Sequence, residues 1–204
     1  MRVTNLYPGS YASNCYLIES GGEAVLIDPS VSVADALRRL GSLPRIKTIV
    51  LTHGHFDHTL TLAEWRSHTG APVAIHRADA PMLADARLSC YRQFLGEDVT
   101  FAPPERLLDE GDGVAVGEET LTVLSVPGHT PGSIALGGDD LLFTGDTLFA
   151  DGGYGRTDLP GGNPRDLVTS LRRLLSFPGH YRVLPGHGDT TDITTSAALF
   201  SNLM

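Results

Sequence analysis

Four side chains with metal-binding chemistry fall within six positions, His53, His55, Asp57 and His58 in the run Leu51-Thr-His-Gly-His-Phe-Asp-His58. Three imidazoles and a carboxylate crowded together are costly in a folded interior unless a cation or water partners them. A metal site accounts for them economically. The spacing is too tight for one helical face to collect all four groups, so the run belongs on a loop at the end of a strand. Two separate coordination sets are then possible, with His53 and His55 pointing one way and Asp57 and His58 the other.

Further ligands follow other strand-like runs. His129 comes after Leu121–Val126 in Pro127-Gly-His-Thr-Pro-Gly132, Asp146 after Leu141–Thr144 in Gly145-Asp-Thr147, and His187 after Val183-Leu184 in Pro185-Gly-His-Gly188. Each sits beside glycine, which lets the backbone approach a metal without a Cβ clash. A lone histidine after a strand is usually structural. The recurrence of strand, glycine and ligand reverses that reading.

The elements that must position these groups divide into two halves. Strands are expected over Arg2–Tyr7, Asn14–Glu19 and Glu23–Asp28, with Gly21-Gly22 as a hairpin turn. Ser32 and Asp35 suit a capping box for a helix that presents Val33, Ala36, Leu37 and Leu40 and stops at Gly41. Ile46–Thr52 is a strand delivering the first ligands, His58–His68 a helix, and Pro72–Ile75 a short strand. Residues 78–108 read as helix followed by irregular chain. Strands return at Val114–Val116, Thr120–Val126, Ser133–Leu136 and Asp140–Thr144. Asn163-Pro164 opens a helix with the stripe Leu167, Val168, Leu171, Leu174 and Leu175, ended by Pro178-Gly179, and Tyr181–Leu184 is the last strand. Two strand-rich halves with one-faced helices predict two packed sheets covered outside by helices.

Composition limits the function classes. The chain of 204 residues is 41% hydrophobic, enough for a good core, and no apolar run approaches a membrane span. Lys+Arg 15 against Asp+Glu 24 disfavours a nucleic-acid surface. The start, Met1–Tyr7, lacks signal-peptide features, so a cytoplasmic location is expected. Cys15 and Cys90 make no disulfide framework and read as buried small hydrophobes. His68 and His180 read as surface residues and His76 as structural.

Taken together, the motifs resemble the metallo-β-lactamase superfamily and, within it, the glyoxalase II-like (hydroxyacylglutathione hydrolase-like) enzymes. The resemblance rests on His53-x-His55-x-Asp57-His58, His129 in Pro-Gly-His-Thr-Pro-Gly-Ser, Asp146 in Phe-Thr-Gly-Asp-Thr-Leu-Phe and His187 in Pro-Gly-His-Gly. Its glyoxalase character lies in Asn14-Cys-Tyr-Leu-Ile18, Asp28-Pro29 and Gly155-Arg-Thr-Asp-Leu-Pro-Gly-Gly162. It implies an α/β fold, a four-layer αββα sandwich with the metal site at one edge of the two sheets, as a single domain over 1–204. His53, His55 and His129 would hold one metal, Asp57, His58 and His187 the other, and Asp146 would bridge them.

Two divalent ions are implied, Zn²⁺ first, with Fe²⁺ and Mn²⁺ also compatible with imidazole and carboxylate ligands. The implied chemistry is hydrolysis of a small thioester by a metal-bridging hydroxide, with Asp57 and Asp146 as catalytic residues. Asp28 is expected to orient a ligand histidine from behind. Tyr154 and Arg156 are candidates for meeting an anionic part of the substrate, although Arg156 with Asp158 also suits a structural ion pair. The carboxy-terminal helical segment that binds glutathione in glyoxalase II is expected to be missing.

The alternative within the superfamily is a persulfide dioxygenase with one iron held at His53, His129 and Asp146. A metal-bearing interaction protein without catalysis is a third reading. Antibiotic hydrolysis is not expected, since β-lactamases of this fold alter parts of the ligand pattern and carry a leader peptide. The expected partner is a small-molecule thioester, with no nucleic acid and no membrane; oligomeric state is not legible.

Overall fold

The computed structural model describes residues 1–6 and 11–201. The first sheet contains β1 (Arg2–Asn5), β2 (Tyr16–Ser20), β3 (Glu23–Ile27), β4 (Arg45–Leu51), β5 (Val73–His76) and β6 (Arg106–Leu108), side by side in chain order. Its first pairings are antiparallel, and those from β3 through β6 are parallel. The second sheet has the order β12 (Thr191–Asp192), β11 (Arg182–Pro185), β10 (Leu141–Gly145), β9 (Ile134–Gly138), β8 (Glu119–Ser125), β7 (Gly113–Val116), with β10 and β11 parallel. The first strand was expected to reach Tyr7, which lies outside the described residues.

Alternation along the strands decides the layers, because successive side chains point to opposite faces. On β2 and β3, Tyr16, Ile18, Val25 and Ile27 face the second sheet, meeting Leu121, Val123, Ile134 and Phe143. Leu17, Ala24 and Leu26 face the other way. They pack with Trp65 and Leu62 of α2 (Leu62–Thr69) and Val33 and Ala36 of α1 (Val33–Leu40). The second sheet does the same outward, placing Ala135, Leu142 and Val183 under Leu167, Leu171 and Leu174 of α4 (Pro164–Leu175) and Ile193 of α5 (Ile193–Leu199). Both sheets are therefore apolar on two faces, and the result is the expected αββα sandwich.

Local signals act as read. Ser32 accepts from the Asp35 N–H to start α1, and Gly41 (φ 77) ends it. Asn163 caps α4, with Pro164 at its first position.

Other elements differ from expectation. The helix expected from His58 begins only at Leu62, because Phe56–His58 form a 3₁₀ turn with His58 N–H donating to His55 C=O at 3.2 Å. That tight turn closes the ligand loop, and α2 starts only after it. Residues 78–108 hold a short 3₁₀ segment (Ala80–Ala84), α3 (Tyr91–Leu95) and the edge strand β6, which had not been expected. Neither β12 nor α5 was expected. Among the described residues, no helix is long and apolar enough to cross a membrane.

Candidate metal centre

The ligand-bearing residues follow strand ends on one edge of the sandwich. Asp28 follows β3, His53 follows β4, His129 follows β8, Asp146 follows β10 and His187 follows β11. Backbone hydrogen bonds tie the two sheets together there: Ile134 N–H donates to Thr52 C=O at 2.9 Å and Asn14 N–H to Gly186 C=O at 2.6 Å. The Asn14 amide adds bonds to the carbonyls of Pro185 (2.9 Å) and Gly188 (3.0 Å), clamping the His187 turn. Sites at such sheet edges gain side chains from several strands without disturbing the core.

Three groups of ligand atoms converge within 4.8 Å: His53, His55 and His129; His53, His58 and Asp146; and Asp57, His58 and His187. The first and last groups share no residue. The middle one takes a histidine from each and joins them through Asp146.

Hydrogen bonds fix the imidazole tautomers. Asp28 is an acceptor only, so His58 Nδ1–H donates to it at 2.8 Å and Thr52 Oγ1–H donates to it at 2.7 Å. With its single proton spent, Thr52 Oγ1 accepts from His53 Nδ1–H at 3.2 Å. His129 Nδ1–H donates to Arg156 C=O at 2.7 Å. The Nε2 lone pairs of His53, His58 and His129 are thereby directed at the cluster.

Buried acceptors facing one another need a partner. His53 Nε2, His55 Nε2, His58 Nε2 and Asp146 Oδ1 are buried without a hydrogen-bond partner, and His58 Nε2 stands 3.2 Å from Asp146 Oδ1 without hydrogen-bond geometry. His187 Nε2 lies 3.1 Å from Asp57 Oδ2 and 3.5 Å from Asp146 Oδ2. This donor set of imidazoles and carboxylates fits divalent cations.

Charge points the same way. Burial, with the neighbouring imidazoles, pushes His53 well below the ordinary histidine value. Burial and then His129 lower His55 to about 3. Both stay neutral, as metal ligands must be. Burial also disfavours charge on His58, but Asp146 and Asp28 outweigh it and raise His58 well above the ordinary value. Burial acts on Asp146 in the opposite direction, and the surrounding histidines, His58 foremost, hold the carboxyl below the usual range. The space between His58 and Asp146 thus favours a positive charge, proton or metal.

Two further features shape the site, Asp79, which lies in no ligand motif, and Gly186 of the Pro185–Gly188 turn. Asp79 is fully buried and accepts from Thr130 Oγ1 (2.6 Å), Gly132 N–H (2.6 Å) and Gly54 N–H (3.3 Å), joining the His53–His55 loop to the His129 turn. Gly186 lies so close to the cluster that a Cβ there would fall 2.1 Å from Asp146 Oδ1.

A cleft of about 410 Å³ opens over the cluster, with His55, Asp57, His129, Asp146 and His187 at its base. Phe56, Phe94, Phe149 and Leu159 line its sides, and Tyr11 and Arg156 also border it. Arg156 forms a bidentate pair with Asp158, both contacts at 2.6 Å. Tyr154 is not brought into this cleft. It is 55% exposed with its ring 6.2 Å from that of Phe200, because the turn at 150–152 packs on α5, an element the sequence reading lacked. His68 and His180 are exposed, and His76 ends β5 with Nδ1 accepting from Ala78 N–H at 3.2 Å. Both cysteines are buried and free.

Comparison with known proteins agrees with this geometry. The family described as "Metallo-beta-lactamase superfamily" matches residues 8–187. "Probable metallo-hydrolase YqgX" of Bacillus subtilis is 39% identical over 202 residues, covering 96% of this chain and 94% of that protein. "Hydroxyacylglutathione hydrolase GloC" of Haemophilus influenzae is 31% identical over 190 residues, covering 90% and 89%. Among solved structures, BLEG-1 B3 metallo-beta-lactamase superposes with TM-score 0.85 at 32% identity, covering 97% and 96%. TTHA1623 in a di-iron-bound form gives 0.79 at 37%, covering 94% and 96%. ETHE1 from Myxococcus xanthus gives 0.73 at 31%, covering 97% and 82%.

Proposed function

The chain belongs to the metallo-beta-lactamase superfamily, and on that premise we propose that it is a binuclear metal-dependent hydrolase acting on a small thioester. The observation that carries this reading is the meeting of three ligand groups through Asp146 at the base of an open cleft. His53, His55 and His129 would hold one divalent cation, and Asp57, His58 and His187 the other, with Asp146 shared. Zn²⁺ is the first candidate, with Fe²⁺ and Mn²⁺ next. The di-iron form of TTHA1623 supports keeping iron among them. Paired cations in such a set supply Lewis acidity and lower the pKa of water toward neutrality.

The chain's own residues supply orientation and proton handling. Asp28 and Thr52 hold His58 and His53 in their ligating tautomers. Burial opposes ionisation of Asp57, but the His187 hydrogen bond and His58 outweigh it, keeping the carboxylate charged at the cleft base. There it can accept a hydrogen bond from an attacking water and orient it. No serine or cysteine nucleophile is required, and the name of the GloC relative supports a thioester substrate.

The test is elemental analysis of protein purified from its native host, followed by parallel assays on acyl thioesters, β-lactams and persulfides. Two metals with thioester cleavage that disappears in Asp146→Ala is the expected result. Equal cleavage by the variant would defeat the hydrolase reading. The second reading is a persulfide dioxygenase with one iron at His53, His129 and Asp146, favoured by the likeness to ETHE1. Oxygen uptake with persulfide at one iron per chain would select it. Retained metal without turnover on any substrate would select a non-catalytic interaction protein.

A further inference from the structure

We propose that the cleft over the ligand cluster is a subsite for a neutral apolar arm, aromatic by preference, and not for a peptide thiol bearing carboxylates. This inference rests on the thioester reading and names the substrate class within it. Phe56 and Phe94 stack with centroids 5.2 Å apart and an interplanar angle of 19°, and Tyr91 meets Phe56 edge-on at 6.0 Å. Phe149 approaches His187 at 6.0 Å on another side of the base.

Phe94 is 45% exposed, on a short helix that nothing in the core requires it to face. An aromatic wall left open beside a reaction centre gains free energy when an apolar group covers it. The cleft volume of about 410 Å³ suits a ligand of moderate size.

Charge excludes the other class. Arg156 is the sole Lys or Arg among the described lining residues, and its guanidinium is engaged bidentately by Asp158. Away from the ligand cluster, a carrier with free carboxylates would therefore leave water with only the Asp158-paired Arg156 as a cationic side chain among the described lining residues. A neutral aryl thioester pays no such cost.

The experiment uses the metal-loaded protein and compares kcat/KM for phenylacetyl and acetyl thioesters of one small neutral thiol and for a hydroxyacyl thioester of an acidic tripeptide thiol. In parallel, calorimetry measures binding of the S-benzyl thioethers of both thiols, which cannot be hydrolysed. The phenylacetyl substrate is expected to exceed the acetyl one by about tenfold, and the neutral thioether to bind more tightly than the tripeptide one. Phe94→Ala should reduce both preferences by about tenfold, and Phe94→Leu should restore part of them, with melting curves confirming that both variants fold. Preference for the tripeptide ligand, or preferences unchanged in Phe94→Ala, overturns the apolar subsite even where thioesters are cleaved. Tight, Phe94-dependent binding of the neutral thioether without turnover of any thioester upholds the subsite and defeats the hydrolase reading alone.

Discussion

The carboxylate of Asp28 accepts the Nδ1–H of His58 at 2.8 Å, from a backbone position at φ 51 just past the end of β3. The parallel pairing of β3 with β4 brings these residues together across thirty positions of chain. The same carboxylate takes Thr52 N–H at 2.8 Å and Thr52 Oγ1–H at 2.7 Å, so its oxygens serve three donors. An amide has one oxygen and cannot do this. Asp28→Asn is therefore expected to weaken metal binding by about 10- to 100-fold, read by competition with a chelator. Wild-type affinity in that variant would show that Asp28 does not set the His58 tautomer.

The parts of this centre that were legible in sequence are those governed by short-range rules. Ligands after β4, β8, β10 and β11 were visible because each follows an apolar run and adjoins glycine, and capping residues marked α1 and α4. Asp79 was invisible, since its partners Gly54, Thr130 and Gly132 lie far along the chain and meet only in three dimensions. The strand β6 has only three residues, with Leu107 exposed, and its pairing with β5 has no periodic signature. Threonines lower the intrinsic helix signal of α5, which depends on its Asp192 cap and on packing of Ile193. The late start of α2 reflects site geometry overriding helix continuity at His58.

Gly186 gives a steric test of the cluster. A Cβ at this position would lie 2.1 Å from Asp146 Oδ1 and 2.8 Å from His58 Cε1, so Gly186→Ala must displace the carboxylate that meets His53 and His58 in the cluster. The expected outcome is loss of at least one metal equivalent by elemental analysis, with near-native circular dichroism. Full metal content and wild-type activity would show that Asp146 is free to move without consequence.

Asp79→Ala should act mainly on stability. It removes the acceptor from Thr130 Oγ1 and the N–H groups of Gly132 and Gly54 in a fully buried place. Each buried donor left unpaired costs about 1–3 kcal/mol, so chemical denaturation should report a loss of roughly 3 kcal/mol or more. Asp79→Asn retains an acceptor and should lose less. Equal losses in the two variants would mean that packing, and not hydrogen bonding, is what Asp79 contributes.

Alkaline pH should destabilise the fold through groups beside the site. Burial pushes the Cys15 thiol up to about 12, and burial likewise raises Tyr16 and pushes Tyr91 to about 12. Folded-state values above the unfolded ones mean that the unfolded chain releases these protons first. The stability they contribute is complete below pH 9 and is lost as pH rises toward 12, at up to about 1.4 kcal/mol per pH unit for each group. Tyr16 also donates its hydroxyl to Pro185 C=O at 2.8 Å, beside the His187 turn, so its ionisation removes a hydrogen bond as well as burying a charge. Urea unfolding at pH 8 to 11 should show this decline, and Cys15→Ala should make it shallower by about one proton. An unchanged slope in that variant would mean that Cys15 does not remain protonated inside the folded protein.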